Sequence, residues 1–360
     1  MKGNKTMARI DSLFHTLIEK NGSDLHLAQG QPPKIRRSGA IERISDEVLT
    51  QETLSLYLDE ICDSDRWHHF LDVGDLDFAY SLGDEARFRC NYYRHTNGLG
   101  AIFRIIPRDI QSIEELNLPP VLKTFGEFSK GLVLVTGPTG SGKSTTLAAI
   151  IDYINTNHAR HILTIEEPIE FVHTNKKSII IQREVGIDVD SFGRALLDAG
   201  HADCDVILVG EMRDLETINL AISAAEAGNL VFATLHTNCA PKTIDRIIDV
   251  FPADQQPQIR TMLSESLRGI CSQLLLKRKG GGRIASNEIL LHNMAVANII
   301  RDGGASLSKL QSVMMGGKNA GMQLMDDVIE RYRADGIVSG HEAYMKALDK
   351  ERFERYRDEE

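Results

Sequence analysis

The order of apolar and polar residues divides the chain into two parts that predict different folds. In the first part, apolar residues recur at helical spacing over 10–20 and over 50–63. Short runs bounded by turn residues predict strands over 24–27, 76–82, 86–92 and 100–106. The last three of these strands are consecutive in the chain. We therefore predict an α+β domain over 1–107 with a mostly antiparallel sheet.

After a segment rich in proline, the pattern changes to short apolar runs that alternate with helical stretches. The runs read GLVLVT, ILTI, VILV and LVFATL, and they span 131–136, 162–165, 206–209 and 230–235. Because strands buried on both faces are apolar throughout, this order predicts a parallel α/β core. From about 255 to 360 the spacing is mainly helical, so we predict a helical C-terminal part. The predicted boundaries are a linker over 108–120 and a second domain over 121–360.

The composition narrows the classes of function. The chain has 360 residues and a formal net charge of −10. A protein that coats nucleic-acid phosphates needs clustered Lys and Arg, so we expect no nucleic-acid partner. The five cysteines form no CxxC pair, which argues against a zinc site and against a disulfide framework. No apolar run approaches the ~18 residues that span a bilayer. The first residues show no signal-peptide core, so we expect a cytoplasmic protein.

The glycine-rich segment after the first apolar run carries the strongest chemical signal. It matches the pattern G-x-x-x-x-G-K-[ST] between a predicted strand and a predicted helix. Glycines let backbone N–H groups face phosphate oxygens, and the helix N-terminus adds partial positive charge. We expect Lys143 to reach the β- and γ-phosphates of ATP and the Ser144 hydroxyl to bind Mg²⁺. The predicted nucleotide-binding residues are Gly137, Pro138, Thr139, Gly140, Ser141, Gly142, Lys143, Ser144 and Thr145.

An acidic residue follows the apolar run 206–209. Glu211 comes after Gly210 at the end of this predicted strand. We expect the strand to lie beside the P-loop strand and to bring the carboxylate near the γ-phosphate. There, Glu211 would orient or deprotonate the attacking water, partly through Mg²⁺. Asp205, before the strand, is a weaker candidate, and a solvated surface acid is the alternative interpretation of Glu211.

Two further segments place polar residues after predicted strands. Glu166, Glu167 and Glu170 lie within five residues of one another, and such clustered acids favour a nearby cation or basic partner. A solvated turn is the alternative interpretation. His236 ends the run that starts at 230, and we expect it either to sense the γ-phosphate or to serve as a hydrogen-bonded structural residue.

Three arginines lie on predicted strands of the first domain, at Arg87, Arg89 and Arg104. Arginine is the side chain best suited to phosphate oxygens. A single strand arginine is more often part of a solvated face, so the residues by themselves leave both interpretations open.

Longer motifs extend the signal through nearly the whole chain. They include GSDLHL at 22–27, RFRCNYYRHTNGLGAIFRIIP at 87–107, ILTIEEPIEFVH at 162–173, VILVGEMRDLETI at 206–218 and LVFATLHTN at 230–238. Together with the P-loop, they resemble the secretion ATPases of type IV pili and type II secretion, and most closely the PilT/PilU twitching-motility ATPases. The four cysteines that bind zinc in many assembly-type ATPases have no counterpart here, which favours the retraction branch.

The resemblance implies a PAS-like N-terminal domain and an α/β RecA-like P-loop ATPase motor domain. It also implies a homo-hexamer in which the N-terminal domain of one subunit meets the motor domain of another. On that basis Arg89 and Arg104 would reach a neighbour's phosphates, and Glu211 would be the catalytic glutamate. The other implied site residues are Glu166, Glu167 and Glu170 of an acidic box, His236 of a histidine box, and Arg246 near the site.

The function that the resemblance implies is an ATP-hydrolysing hexameric motor that powers type IV pilus retraction by driving pilin depolymerisation. It would use ATP and Mg²⁺ and act at the cytoplasmic face of the inner membrane through a pilus platform protein. A paralogous retraction ATPase is a further candidate partner. The family's usual residues are replaced at His201, Asn229 and Ala297. These changes motivate the alternative of a low-activity accessory or regulatory ATP-binding subunit that co-assembles with an active retraction ATPase, and a nucleic-acid helicase is a more distant alternative.

Overall fold

The computed structural model describes residues 8–37, 40–83, 85–106 and 109–359. The chain divides into two compact units, Met1–Asp109 and Ile110–Glu360. Pro107 and Arg108, where the sequence predicts the first domain to end and the linker to begin, lie outside the described residues. Of the helices that the structure describes, none combines the length and the apolar character needed to cross a membrane.

The first unit combines an antiparallel sheet with helices. Its strands are β1 (Asp24–Ala28), β2 (Lys34–Arg37), β3 (Ala40–Arg43), β4 (Asp75–Leu82), β5 (Ala86–His95) and β6 (Gly98–Ile106). Its helices are α1 (Asp11–Glu19), α2 (Gln51–Glu60) and α3 (Ser64–Val73). The strand order is β3-β2-β1-β6-β5-β4, and each described pairing is antiparallel. The strands and helices predicted above for this part are present, and β2, β3 and α3 are further elements.

Alternation along β5 separates the core of this unit from its arginines. Phe88 and Tyr92 are fully buried, and Phe88 stacks on Phe14 of α1 with ring centroids 4.2 Å apart. Because successive side chains of a strand point to opposite faces, Arg89 points away from that core. Arg104 on β6 is paired directly opposite Arg89. Both guanidinium groups therefore lie on the same outer face of the sheet.

The second unit is an α/β fold around a larger sheet. Its strands are β7 (Gly131–Thr136), β8 (His161–Glu166), β9 (Ile179–Glu184), β10 (Val206–Val209), β11 (Leu230–Leu235), β12 (Leu267–Lys277) and β13 (Arg283–Leu291). Its α-helices are α4 (Leu122–Glu127), α5 (Lys143–Asn157), α6 (Phe192–Ala199), α7 (Leu215–Ala227), α8 (Ala240–Asp249), α9 (Gln256–Ser266), α10 (Met294–Asp302), α11 (Leu310–Gly316), α12 (Met325–Ala334), α13 (Gly340–Lys346) and α14 (Lys350–Phe353). Strands β7, β10 and β11 are buried throughout and pair in parallel, as the apolar runs predict.

The strand order of the second unit differs from the sequence prediction. The order is β13-β12-β7-β11-β10-β8-β9. The expectation that the strand before Glu211 lies beside the P-loop strand is wrong, because β11 pairs with both β7 and β10. Apolar content identifies buried strands but carries no information about their order. The strand that His236 follows therefore lies between the P-loop strand and the Glu211 strand.

The prediction of a helical C-terminal part from about 255 is wrong over 267–291. There, β12 and β13 form an antiparallel pair, and β12 also pairs in parallel with β7. Strand β12 is buried along most of its length. Its residues therefore show no alternation, and periodicity alone does not separate a buried strand from a buried helix. Helices dominate from Met294 onward, as predicted.

Candidate active site

Three glycines shape the loop between β7 and α5. Gly137, Gly140 and Gly142 have φ angles of 148°, 76° and 87°, a region that residues with a Cβ atom seldom adopt. A Cβ atom at Gly137 would lie 2.3 Å from the Gln273 carbonyl oxygen, whereas one at Gly140 would meet no atom within 4 Å. The first glycine is therefore required for close packing, and the loop at Gly140 is open to a ligand.

The loop and the first turn of α5 offer several donors to an anion. Helix α5 is 15 residues long and begins at Lys143, so the N–H groups at its start carry partial positive charge. The Ser141 hydroxyl is buried and has no hydrogen-bond partner in the part of the chain that the structure describes. Ser144 and Thr145 are half-buried in the first turn. These groups fit the phosphates of a nucleotide, and the Ser144 hydroxyl is an oxygen ligand of the kind that Mg²⁺ prefers.

Lys143 lies over the loop. Its ammonium group donates to the carbonyl oxygens of Gly137 at 2.8 Å and Pro138 at 3.3 Å. Burial lowers the pKa of Lys143, and the negative charges of Glu211 and Glu170 act against that shift. Both acids therefore act electrostatically on the P-loop lysine and favour its ammonium form.

Glu211 is held by two side chains. One carboxylate oxygen lies 2.8 Å from His236 Nε2, and the other accepts a hydrogen bond from Arg213 Nη2 at 2.7 Å. The hydrogen bond from Arg213 is the main cause that lowers the pKa of Glu211, and His236 adds to it, against the effect of burial. Only 19% of the Glu211 side chain is exposed. An oriented, ionised carboxylate of this kind can accept a proton from water.

Contacts between neighbouring strands fix the position of this glutamate. Gly210, just before Glu211, donates its N–H to the Ile165 carbonyl at 2.8 Å. The Gly210 carbonyl accepts a hydrogen bond from the Thr234 hydroxyl on β11. Strand β11 leads directly to His236. The structure thus joins Glu211 and His236, which the sequence offered as separate candidates, into one hydrogen-bonded pair.

The three acids after β8 have different surroundings. Glu166 accepts hydrogen bonds from the Thr164 hydroxyl at 2.7 Å and from the Gln182 amide at 3.3 Å. Burial raises the pKa of Glu166, although these hydrogen bonds oppose the shift. Glu167 is exposed, and Glu170 is half-buried. Glu170 is the acid of this segment whose charge acts on the P-loop lysine.

Arg89 and Arg104 each pair with an acid on a neighbouring strand. Arg89 Nη2 lies 2.7 Å from Asp77 Oδ2, and Arg104 Nε lies 2.8 Å from Asp24 Oδ1. The Arg104 side chain is 70% exposed. The Arg89–Asp77 pair is exposed on both sides, and such pairs stabilise a protein by at most about 1 kcal/mol, so a phosphate ligand can compete with Asp77. Asp24 is buried, so Arg104 is paired with a largely desolvated carboxylate. Both arginines belong to the first unit, and their role at a nucleotide stays a prediction.

Arg246 is exposed in the last turn of α8. Within the described residues, no hydrogen bond or ion pair links its side chain to Glu211 or His236. The structure therefore does not bring Arg246 into the Glu211–His236 pair, and its role near the site stays a prediction.

The structure adds Arg213 and Gln273 to the residues predicted from the sequence. Arg213 lies two residues after Glu211, and its place between a strand end and a helix start was a usable signal. Gln273 lies on β12 and donates a hydrogen bond to the Ser141 carbonyl of the P-loop at 2.7 Å. No sequence signal marked Gln273, because the segment that carries it was predicted to be helical.

Comparison with known proteins places the sequence that carries the P-loop, Glu211 and His236 in a family. A family model described as "Type II/IV secretion system protein" matches residues 81–311, a range that contains the P-loop, Glu211 and His236. The chain belongs to the type II/IV secretion system protein family. Its P-loop and glutamate therefore lie within the part of the sequence that defines this family.

Other type II/IV secretion system proteins are similar over nearly the whole chain. The type IV pilus retraction ATPase PilT of Pseudomonas aeruginosa is 46% identical over 344 residues, which cover 96% of this chain and 99% of PilT. The type IV pilus ATPase PilU of the same organism is 36% identical over 338 residues, which cover 94% of this chain and 88% of PilU. A crystal structure of the pilus retraction motor PilT with bound ADP has a TM-score of 0.88 at 41% identity, covering 97% of this chain and all 100% of that one. These similarities confirm the predicted relationship to PilT-type proteins and the prediction that the chain is an ATPase.

Proposed function

We propose that the chain is the ATP-hydrolysing subunit of a homo-hexameric motor that powers type IV pilus retraction by driving pilin depolymerisation. The proposal rests on the Glu211–His236 pair, whose two residues follow neighbouring strands and whose glutamate acts electrostatically on the P-loop lysine. Similarity to the retraction ATPase PilT over 96% of this chain supports pilin as the polymer.

Nucleotide binding and hydrolysis divide between two sets of residues in this proposal. The loop over 137–142 and the start of α5 hold the phosphates, and Lys143 exchanges loop carbonyls for β- and γ-phosphate oxygens. Ser144, and Glu211 in part, would hold Mg²⁺, which neutralises charge that develops on the phosphate oxygens. Glu211 orients and deprotonates the attacking water, and His236 fixes the orientation of Glu211.

The acidic segment after β8 acts on the same site. Glu170 adds negative charge near Lys143 and so favours the ammonium form of that lysine. Glu166 is tied to Thr164 and Gln182, and these contacts hold the segment in place. We propose that both glutamates serve catalysis by setting the charge and position of the phosphate-binding groups.

The arginines of the first unit complete the site of a neighbouring subunit in this proposal. Arg89 and Arg104 lie side by side on one face of the sheet, a spacing that suits several oxygens of one phosphate chain. In a closed ring each subunit offers the same pair to the next subunit. There the two guanidinium groups would stabilise charge in the transition state. Arg246 would approach the same phosphates from the second unit.

We infer that the first unit is PAS-like and that the second is RecA-like. The antiparallel sheet with helices supports the first assignment, and the parallel strands around the P-loop support the second. The similarity to PilT also leads us to propose a cytoplasmic location. There the ring would act at the cytoplasmic face of the inner membrane by binding a pilus platform protein, with a paralogous retraction ATPase as a further partner.

A low-activity accessory subunit is the second candidate, favoured by the replacements at His201, Asn229 and Ala297. Asn229 immediately precedes β11, and its amide donates to the Cys204 carbonyl just before β10. Asn229 therefore lies at the amino end of its strand, whereas Glu211 and His236 follow the carboxyl ends of β10 and β11. Because Asn229 is at the opposite end of the strands from the hydrolytic pair, its placement supports an active motor over the accessory role.

A retraction assay in the native bacterium tests the proposal. We expect deletion of the gene to abolish retraction of labelled pili and the unmodified gene to restore it. A gene carrying Lys143→Ala should not restore retraction, whereas Lys130→Ala, which changes an exposed lysine before β7, should. If deletion only weakens retraction and Lys143→Ala restores it fully, the motor proposal is wrong and the accessory role is favoured.

A further inference from the structure

Gln273 packs against the P-loop and forms a hydrogen bond to it. The residue is 2% exposed, and its side-chain amide nitrogen donates to the Ser141 carbonyl at 2.7 Å. Its amide oxygen accepts hydrogen bonds from the Thr146 hydroxyl at 2.7 Å and from the Asn287 amide at 2.8 Å. One carboxamide thus connects the P-loop, the first turns of α5 and strand β13.

Gln273 also explains two of the loop glycines. A Cβ atom at Gly137 would lie 2.3 Å from the Gln273 carbonyl oxygen, and one at Gly142 would lie 2.9 Å from Gln273 Nε2. The loop therefore contacts the main chain of Gln273 near its start and the side chain of Gln273 near its end. This packing limits the conformations that the loop can take.

The chemistry of an anion-binding loop gives these contacts a function. A loop that turns successive N–H groups toward an anion turns carbonyl groups away from it, and a buried carbonyl then needs a donor. Gln273 supplies that donor to Ser141. A carboxylate at this place would repel the Ser141 carbonyl, and an apolar side chain would leave several buried polar groups without partners.

We infer that Gln273 is a positioning residue, which holds the P-loop in the conformation that binds nucleotide. It acts through Ser141 and Thr146 and touches no reacting atom. Through Asn287 it also makes the β12–β13 pair part of the nucleotide-binding unit.

Nucleotide affinity separates this role from a merely structural one. Gln273→Met keeps the size of the side chain and removes its three hydrogen bonds. We expect the dissociation constant for ADP, measured by calorimetry in Mg²⁺ buffer, to rise about tenfold, the effect of roughly one buried hydrogen bond. The KM for ATP should rise with it, while kcat changes much less.

Asn155→Leu is the matched control. Asn155 is fully buried near the end of α5 and makes two hydrogen bonds, to the Thr174 carbonyl and from the Lys176 N–H, at 2.8 and 2.9 Å. We expect both variants to unfold at lower temperature and only Gln273→Met to lose ADP affinity. The inference is overturned if Gln273→Met binds ADP within twofold of the unmodified protein.

If Gln273→Met does not fold, a milder variant tests the positioning role of Gln273. Thr146→Val preserves the shape of the side chain and removes one hydrogen bond to Gln273. We expect this variant to weaken ADP binding about threefold. Unchanged ADP binding by a folded Thr146→Val protein would then overturn the inference.

Discussion

In the second unit, the pKa of a single side chain depends on its burial and on one or two neighbouring groups. Burial lowers the pKa of both Lys143 and His173, in the case of His173 to about 4. The pKa of Glu211 is lowered, because the hydrogen bond from Arg213 outweighs the opposite effect of burial. The carboxylate therefore stays ionised. The sequence identified Lys143 and Glu211 by type and position. The direction of each pKa shift depends on contacts that only the folded chain supplies.

His173 makes the stability of the second unit depend on pH. Its pKa of about 4 lies below the value of 6.5 that is ordinary for a solvated histidine, so protonation favours the unfolded chain. The contribution of neutral His173 to the free energy of unfolding is fully present above pH 6.5 and is lost as the pH falls toward 4. We expect the free energy of unfolding in urea to fall between pH 7 and pH 5 by about 2 kcal/mol more in the unmodified protein than in His173→Asn. Equal losses in the two proteins would contradict this assignment.

The cysteines are predicted to be unreactive thiols. Burial raises the pKa of the half-buried Cys62 to about 11 and that of the buried Cys271 to about 12. Because only the thiolate reacts, we expect iodoacetamide at pH 8 to alkylate Cys62 about a hundredfold more slowly than a free cysteine peptide. Mass spectrometry of the native protein measures this rate, and the urea-unfolded protein, in which every cysteine should react, is the control. Native alkylation at the peptide's rate would show that burial does not protect Cys62.

At the scale of elements, the start of α7 fixes the loop that carries Glu211, the proposed catalytic glutamate. Asp214 caps this helix by accepting hydrogen bonds from the Thr217 N–H at 2.8 Å and from the Thr217 hydroxyl at 2.9 Å. The cap lies three residues after Glu211, so the loop between β10 and α7 is short and anchored at both ends. Loss of the cap should therefore affect catalysis as well as stability.

Asp214→Ala tests this link between a helix cap and catalysis. We expect it to lower the free energy of unfolding by about 1 kcal/mol and to lower kcat for ATP hydrolysis severalfold. Ser191→Ala is the matched control, because Ser191 caps α6 through the Arg194 N–H at 3.1 Å and lies outside the proposed site. We expect a similar loss of stability and an unchanged kcat for Ser191→Ala. Equal kcat values for the two variants would show that the α7 cap has no catalytic role.

The elements that the sequence predicts well are those with a distinct local pattern. The alternation along β5 and the apolar runs of β7, β10 and β11 are visible in single segments, and the P-loop follows from its motif. Strand β12 was missed because its 11 residues mix polar with apolar side chains, so it shows neither a short apolar run nor a strand period. The order of β7, β11 and β10 was missed because pairing is a long-range property. The Glu211–His236 contact and the role of Gln273 depend on that order and on β12, so neither could be predicted from the sequence.

At the scale of the whole molecule, the proposed site is shared between subunits, and mixed rings test this. Arg104→Ala subunits keep Glu211, and Glu211→Gln subunits keep Arg104. We expect each variant alone to hydrolyse ATP at most about a hundredth as fast as the unmodified protein. In a mixed ring, about a quarter of the junctions would join an intact Arg104 to an intact Glu211. The 1:1 mixture should therefore regain about a quarter of the activity, and a mixture no more active than its components would contradict a shared site.

The most direct test of the central claim is ATP hydrolysis by purified protein with single changes at the two ends of β10. Glu211 follows this strand, and Asp205 precedes it, where its carboxylate accepts the His161 N–H at 2.8 Å. We predict that Glu211→Gln lowers kcat at least about a hundredfold while the protein still binds ATP. Asp205→Asn should hydrolyse ATP at close to the unmodified rate. Normal turnover by Glu211→Gln, or an equal loss in both variants, would contradict the proposed role of Glu211.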